Sequence, residues 1–172
     1  ARQVEVVLRE SARIVRMDRG VLICETRHGY VCANAGVDRS NAGAPETVLT
    51  LPRDPDASAR AIRAAAARIA RVQIAVIIAD TFGRPWRAGL TNVALGCAGL
   101  RPLRDERGHA DAHGYVLGVS VLAVADELCA AAELVMGKLR GVPAAVVRGY
   151  AYEPGEGSAR EILRAPETDM FR

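Results

Sequence analysis

The sequence predicts a fold that mixes helices and strands, α/β or α+β, and three observations support this. Apolar residues recur at helical spacing in some segments, short β-branched runs bounded by Gly, Asn and Pro fill others, and the two kinds alternate along the chain. At 172 residues and 50% hydrophobic composition there is enough chain for one substantial core or two small ones, and disorder is disfavoured.

Val4, Val7, Leu8, Ser11 and Val15 share one helical stripe with Arg2, Glu5, Arg9, Arg13 and Arg16 largely outside it, so residues 2–16 are predicted as one amphipathic helix. Residues 20–26 and 29–33 read as a β-hairpin joined through Arg27, His28 and Gly29. An Asn-, Gly- and Asp-rich loop follows from Asn34 to Pro45, then a short strand at 48–51. Asp56 and Ser58 are expected to cap a helix over 59–70. Residues 73–79 are apolar without alternation, which suits a strand buried on both faces and ending at Asp80. A Gly-, Arg- and Pro-containing loop to Gly89 and a small-residue segment to Leu100 come next. Strands are predicted at 116–121 and 144–148, a helix at 124–137, and a C-terminal helix opened by residues 155–158 and running through Leu163.

Basic and acidic residues number 23 and 20, for a net charge of +3, and no basic run is sustained, so nucleic-acid binding is disfavoured. No apolar run approaches the ~18–20 residues of a membrane span. Cys24, Cys32, Cys97 and Cys129 lie far apart among apolar neighbours and form no C-x-x-C pair. They are expected to be reduced core residues of a cytoplasmic protein. The chain starts at Ala1 in a helical pattern, with no signal-peptide core before it, and is expected to be a fragment.

Three stretches can carry chemistry. Residues 34–41 present Asp38 and Asn41 from a small-residue turn, able to bring oxygen ligands to a hard cation or amides to an anion. The alternative is an Asx turn whose side chains cap their own backbone. Residues 80–87 offer an acid, a hydroxyl and two arginines in Asp80, Thr81, Arg84 and Arg87, with Phe82 and Trp86 between them. That set suits a metal and phosphate groups. Alternatively Asp80 and Thr81 cap a turn, Trp86 fills a core gap and the arginines are ordinary surface residues. The third stretch, Met136-Gly137-Lys138-Leu139-Arg140-Gly141, holds the single lysine beside 22 arginines. Lys138 is a helix-dipole partner or a phosphate contact. His28, His109 and His113 are expected to be solvated, and Asp126 and Glu127 to be structural acids at a helix start. No G-x-S-x-G, H-E-x-x-H or dinucleotide fingerprint is present.

Residues 25–41, 80–89, 124–127, 136–137 and 146–149, in this order, resemble the coenzyme F-420:L-glutamate ligase family of γ-glutamyl ligases. The resemblance implies an α+β fold with a mixed sheet and flanking helices, a homodimer, and GTP and Mg2+ or Mn2+ as co-substrate and cofactor. It implies that glutamate is joined to the coenzyme precursor through an acyl phosphate, with GDP and phosphate released. Carried over by motif, Asp38 and Asp80 resemble metal ligands and catalytic groups, Thr81 a ligand of a second metal, and Asn41 a nucleotide contact. The loop Met136, Gly137, Lys138, Leu139, Arg140, Gly141 and Val142 resembles part of a GTP site, and Arg84 and Arg87 are assigned to substrate. Relatives carry an acid directly after the Met-Gly pair that can ligate the second metal, where Lys138 stands here. The family also has an N-terminal nucleotide-binding segment, so residues 1–172 are expected to be the C-terminal portion of such a domain without it. The rival expectations are a different metal-dependent phosphotransferase or amide ligase, or a nucleotide-binding module without turnover.

Overall fold

A computed structural model describes residues 2–44 and 46–170, so Pro45, the last residue of the expected loop, lies outside the described residues. The class is α+β, with the strands distributed over three small sheets. By Cα proximity the chain forms two compact units: the residues up to Arg53 together with Phe82–Leu90, and Asp54–Thr81 together with Thr91–Arg172.

In the first unit, helix α1 spans Arg2–Glu10 and is shorter than the predicted one. The Ser11 hydroxyl donates to the Val7 carbonyl at 2.6 Å, and the chain then turns into strand β1, Ser11–Asp18. Pairing overrides the helical stripe here. β1 runs antiparallel to β2, Val21–Thr26, through a two-residue turn at Arg19 and Gly20, with φ 48° and 79°. Positive φ at both central residues is what a tight hairpin matching strand twist requires. β1 is the exposed edge of a sheet ordered β1-β2-β3, with β3 at Val31–Ala33. Alternation along β2 turns Leu22, Cys24 and Thr26 inward. Leu22 and Cys24 pack with Val7, Ala35 and Val37. Burying a residue such as Val7 stabilises by about 1.5–3 kcal/mol.

In the second unit, helix α2 spans Pro55–Ala70. Its N-cap is Asp54, whose carboxylate accepts from the Ala57 amide at 2.8 Å, with proline in the first turn where a missing N–H costs nothing. The predicted cap at Asp56 and Ser58 is thus displaced, and the helix ends at left-handed Arg71. Strands β4, Val76–Arg84, and β5, Arg87–Ala98, are neighbours in a two-stranded sheet, with their Phe82–Leu90 stretch assigned to the first unit. β4 begins later than the apolar run and is half-buried over Val76–Ile78 rather than buried on both faces. The short strands β6, Arg104–Asp105, and β7, Val121–Leu122, pair antiparallel. Helix α3 spans Val124–Met136. A 3-10 turn at Ala159–Ile162 carries a Ser158/Glu161 capping box where a longer helix was expected. Residues 144–148, expected as a strand, have no regular secondary structure, and Val146 is 78% exposed.

The second core joins Ala94, Cys97 and Leu100 to Ala125, Cys129 and Ala159. Asp56, freed from capping, ties it together by accepting from the Cys97 amide at 2.8 Å, the Ala159 amide at 3.2 Å and the Ser158 hydroxyl. Among the described residues no helix is long and apolar enough to cross a membrane.

Candidate functional site

The loop after β3 is built on backbone strain. Asn34, Ala35 and Gly36 have φ of 53°, 52° and 73°, and Ala35 is buried. Successive left-handed residues are costly for residues other than glycine, and such strain persists where surrounding structure fixes it, often at functional sites. At Gly36, φ 73°, a Cβ would meet the Leu51 side chain at 2.6 Å and force it to shift, so a larger residue is strained there both by backbone and by packing. Asp38 follows and pairs with Leu49 through two backbone hydrogen bonds, 3.1 and 2.8 Å, closing the loop that carries Asn41. The exposed Asp38 carboxylate accepts from the Ser40 amide at 2.9 Å and from the Ser40 hydroxyl. This is the Asx-turn arrangement, and it orients the carboxylate. Asn41 is exposed at φ 57°.

Asp80 and Thr81 lie inside β4, not in a loop at its end. Consecutive strand residues point to opposite faces, so the two side chains do not converge on a single ion. That supports separate roles. The Thr81 hydroxyl donates to Asn92 Oδ1 at 2.7 Å, and Asn92 Nδ2 donates to the Glu133 carboxylate at 3.1 Å. Asn92 sits on β5, is 5% exposed, and is one of two buried polar residues among those described. Neither Asn92 nor Glu133 was singled out from sequence. The available signal was Asp126 and Glu133 seven residues apart, hence on one face, of a helix whose other residues are apolar apart from Glu127. Both reach β5: Asp126 accepts from the Ala94 amide at 2.8 Å. Burial raises the Asp126 carboxyl above its usual range, while that amide bond opposes the rise. Asp126 is thus structural, as expected.

Arg84 and Arg87 are exposed and flank a two-residue turn, Pro85-Trp86, whose Trp86 has φ 56° and is 77% exposed. Trp86 therefore does not fill a core gap. Phe82 does pack, edge-on to Tyr30 with ring centroids 6.3 Å apart. Asp38, Asn41, Arg84 and Arg87 belong to the first unit, and Asp80, Thr81 and the 136–142 loop to the second.

In that loop Gly137, at φ 64°, closes α3 by donating its amide to the Glu133 carbonyl at 2.9 Å. The Arg140 guanidinium donates to the Val135 carbonyl at 3.4 Å, so Arg140 takes the helix-end position considered for Lys138. Met136 is half-buried, whereas Lys138, Leu139, Gly141 and Val142 are exposed.

All four cysteines are buried and none forms a disulfide, as expected. Burial pushes the thiols of Cys97 and Cys129 up to about 12, with nearby carboxylates, Asp56 for Cys97 and Asp126 for Cys129, adding to the shift. Neither is a nucleophile at neutral pH. His28 is half-buried rather than solvated, with Nε2 3.2 Å from the Arg53 carbonyl and Nδ1 buried without a partner. His109 is exposed beside Glu106 at 3.4 Å.

Among the described residues no group of three His, Cys, Asp or Glu side chains is placed to hold a metal. Asp38, Asp80 and Thr81 each offer a hard oxygen donor. Magnesium commonly uses one or two protein carboxylates, completing its shell with water and substrate phosphate, so each of these donors taken singly is chemically suited to such an ion.

The comparisons with known proteins agree with one another. The chain is 46% identical over 172 residues to the coenzyme F420:L-glutamate ligase of Methanothermobacter thermautotrophicus, covering 98% of this chain and 68% of that protein. It is 47% identical over 176 residues to the ligase of that name from Methanopyrus kandleri, covering 99% and 69%. The Methanocaldococcus jannaschii ligase of the same name is 39% identical over 170 residues, covering 98% and 68%. Residues 1–149 match the family described as F420-0:Gamma-glutamyl ligase. With the match running through the strained Asp38 loop, β4 and α3, the chain belongs to the F420-0:gamma-glutamyl ligase family.

Proposed function

We propose that the protein is a GTP- and divalent-metal-dependent ligase that joins L-glutamate to the F420 precursor. The observation that carries this reading is the identity of 46–47% over nearly the whole chain to two proteins named coenzyme F420:L-glutamate ligase. The precursor carboxylate attacks the γ-phosphorus of GTP and GDP leaves. The glutamate amine then attacks the acyl carbon, phosphate leaves, and the amine loses a proton to give the amide. No protein nucleophile is needed, in keeping with the inert Cys97 and Cys129 thiols.

A bound Mg2+ or Mn2+ would neutralise phosphate charge and polarise the transferring group. Asp38 and Asp80 would each serve as a ligand of such an ion, and Thr81 as a ligand of a second one. Asp38 arrives oriented by Ser40, which lowers the entropy lost on ligation. The exposed Arg84 and Arg87 guanidiniums would fork onto carboxylates or phosphates of the substrates. Asn41 and the 136–142 loop would contact the nucleotide, Lys138 as a compact charge on a phosphate. We assign a homodimer, for which exposed apolar residues such as Leu134, 82% accessible, supply adhesive surface. Four reduced cysteines suit the cytoplasm.

Asp38→Asn and Asp80→Asn, each nearly isosteric, test the site. Calorimetric titration with Mn2+ and GTP is expected to show metal-dependent nucleotide binding in the unsubstituted protein and none in either variant, with unchanged circular dichroism. Unchanged binding in both variants would remove Asp38 and Asp80 from the site.

A further inference from the structure

The chain of contacts from Thr81 through Asn92 to Glu133 has a direction, and the direction is informative. A carboxamide can be placed two ways round in one volume, and its hydrogen-bond partners decide which. Here the partner beyond Asn92 is the Glu133 carboxylate, an acceptor only, which takes the amide N–H2 at 3.1 Å. Flipping Asn92 would face its carbonyl oxygen to that carboxylate, acceptor against acceptor, in a residue only 5% exposed where water offers little relief. The amide oxygen must therefore face Thr81, where it accepts the hydroxyl proton at 2.7 Å. A threonine hydroxyl has one proton and two lone pairs. With the proton directed into the protein, the oxygen offers only lone pairs elsewhere.

We propose that Glu133 is a positioning residue which, through Asn92, holds the Thr81 hydroxyl as a donor into the protein and so prepares its oxygen to ligate a hard cation. This rests on the reading of Thr81 as a metal ligand given above. Glu133 does not touch the ion; it fixes the orientation of the group that does. Outer partners of this kind commonly change metal affinity by about 10- to 100-fold when altered. Glutamine at 133 can donate or accept, so Asn92 would be released to flip, donate to Thr81 Oγ1 and occupy a ligating lone pair.

The test is a double-substitution cycle of Glu133→Gln and Thr81→Val, read by calorimetric Mn2+ affinity in the presence of GDP, with melting temperature recorded for each protein. Glu133→Gln alone is expected to weaken Mn2+ binding by about 10-fold or more. In the Thr81→Val background it is expected to change nothing further, because its route to the ion is gone. Equal weakening in both backgrounds would mean that Glu133 acts by its charge alone, and no weakening in either would mean that it does not act; both overturn the proposal. Absence of Mn2+-dependent GDP binding in the unsubstituted protein would instead overturn the ligase reading itself. Should Glu133→Gln unfold, the pair Asn92→Asp with Glu133→Gln exchanges donor and acceptor and restores the direction. Affinity within a few-fold of the starting protein is expected for that pair, and a loss like that of Thr81→Val would overturn the proposal.

Discussion

Gly96 lies where β5 passes under the start of α2, and replacing it with alanine is expected to cost a large part of the protein's stability. A Cβ there would lie 2.6 Å from the Asp56 amide nitrogen and closer still to the Pro55 carbonyl group. The obstacle is backbone, so no rotamer change relieves it. The strand and the helix must separate, and overpacking of this kind typically costs about 1–3 kcal/mol. Separation also stretches the 2.8 Å bond from the Cys97 amide to the Asp56 carboxylate, a charged hydrogen bond worth about 1.5–3 kcal/mol. Together these give about 2.5–6 kcal/mol, comparable with the whole stability of a marginal domain. With a urea slope of about 2 kcal/mol per molar, the unfolding midpoint should fall by about 1.2–3 M. Gly118→Ala is the matched control, because open space surrounds that position and its φ is not positive. It should shift stability by less than about 0.5 kcal/mol. A Gly96→Ala midpoint within about 0.3 M of the parent would refute the argued contact between α2 and β5.

Asp126 gives a pH dependence of defined sign. Its carboxyl is raised by burial, so the folded protein holds the proton more tightly than the unfolded chain does. That contribution is complete at pH below the usual carboxylate range. It is lost as pH rises through the raised folded value, at up to about 1.4 kcal/mol per pH unit. Asp126→Asn keeps an oxygen for the Ala94 amide without the charge, so urea titrations across this window should show the downward slope flattened; an unchanged slope would place it elsewhere. Lys138→Met should weaken Mg2+-GDP binding by about 10-fold, one charge-assisted contact, in calorimetry. No change would leave the exposed lysine without a phosphate.

Helices α2 and α3 of the second unit were legible from local signals, whereas the strand expected over 116–121 is reduced to Val121–Leu122 and that over 144–148 is absent. α3 ends within one residue of its prediction because Gly137 is a helix stop and its apolar run has no competitor. The turn at 27–29 likewise marked the β2–β3 hairpin. Elsewhere a local pattern lost to a distant partner. Residues 11–16 continue a helical stripe, yet Arg13 bonds to Glu25 at 2.8 Å across β1 and β2, and the Arg19-Gly20 turn that permits this was a readable but unused signal. Asp56 looked like a cap because nothing local reveals the Cys97, Ser158 and Ala159 groups it serves. Motif order singled out Asp38, Asp80 and Thr81 as candidates. Asn92 and Glu133 stayed hidden because their significance lies in hydrogen bonds spanning 11 and 41 positions.

The most direct measurement is the ligation itself. The protein is incubated with GTP, Mn2+, L-glutamate and the glutamate-free F420 precursor, and products are resolved by mass spectrometry, with the Methanothermobacter ligase run in parallel. The precursor is expected to gain a glutamyl unit with stoichiometric release of GDP and phosphate, dependent on both GTP and metal. No glutamyl product where the Methanothermobacter enzyme forms one, or product formed equally without GTP, would contradict the ligase reading.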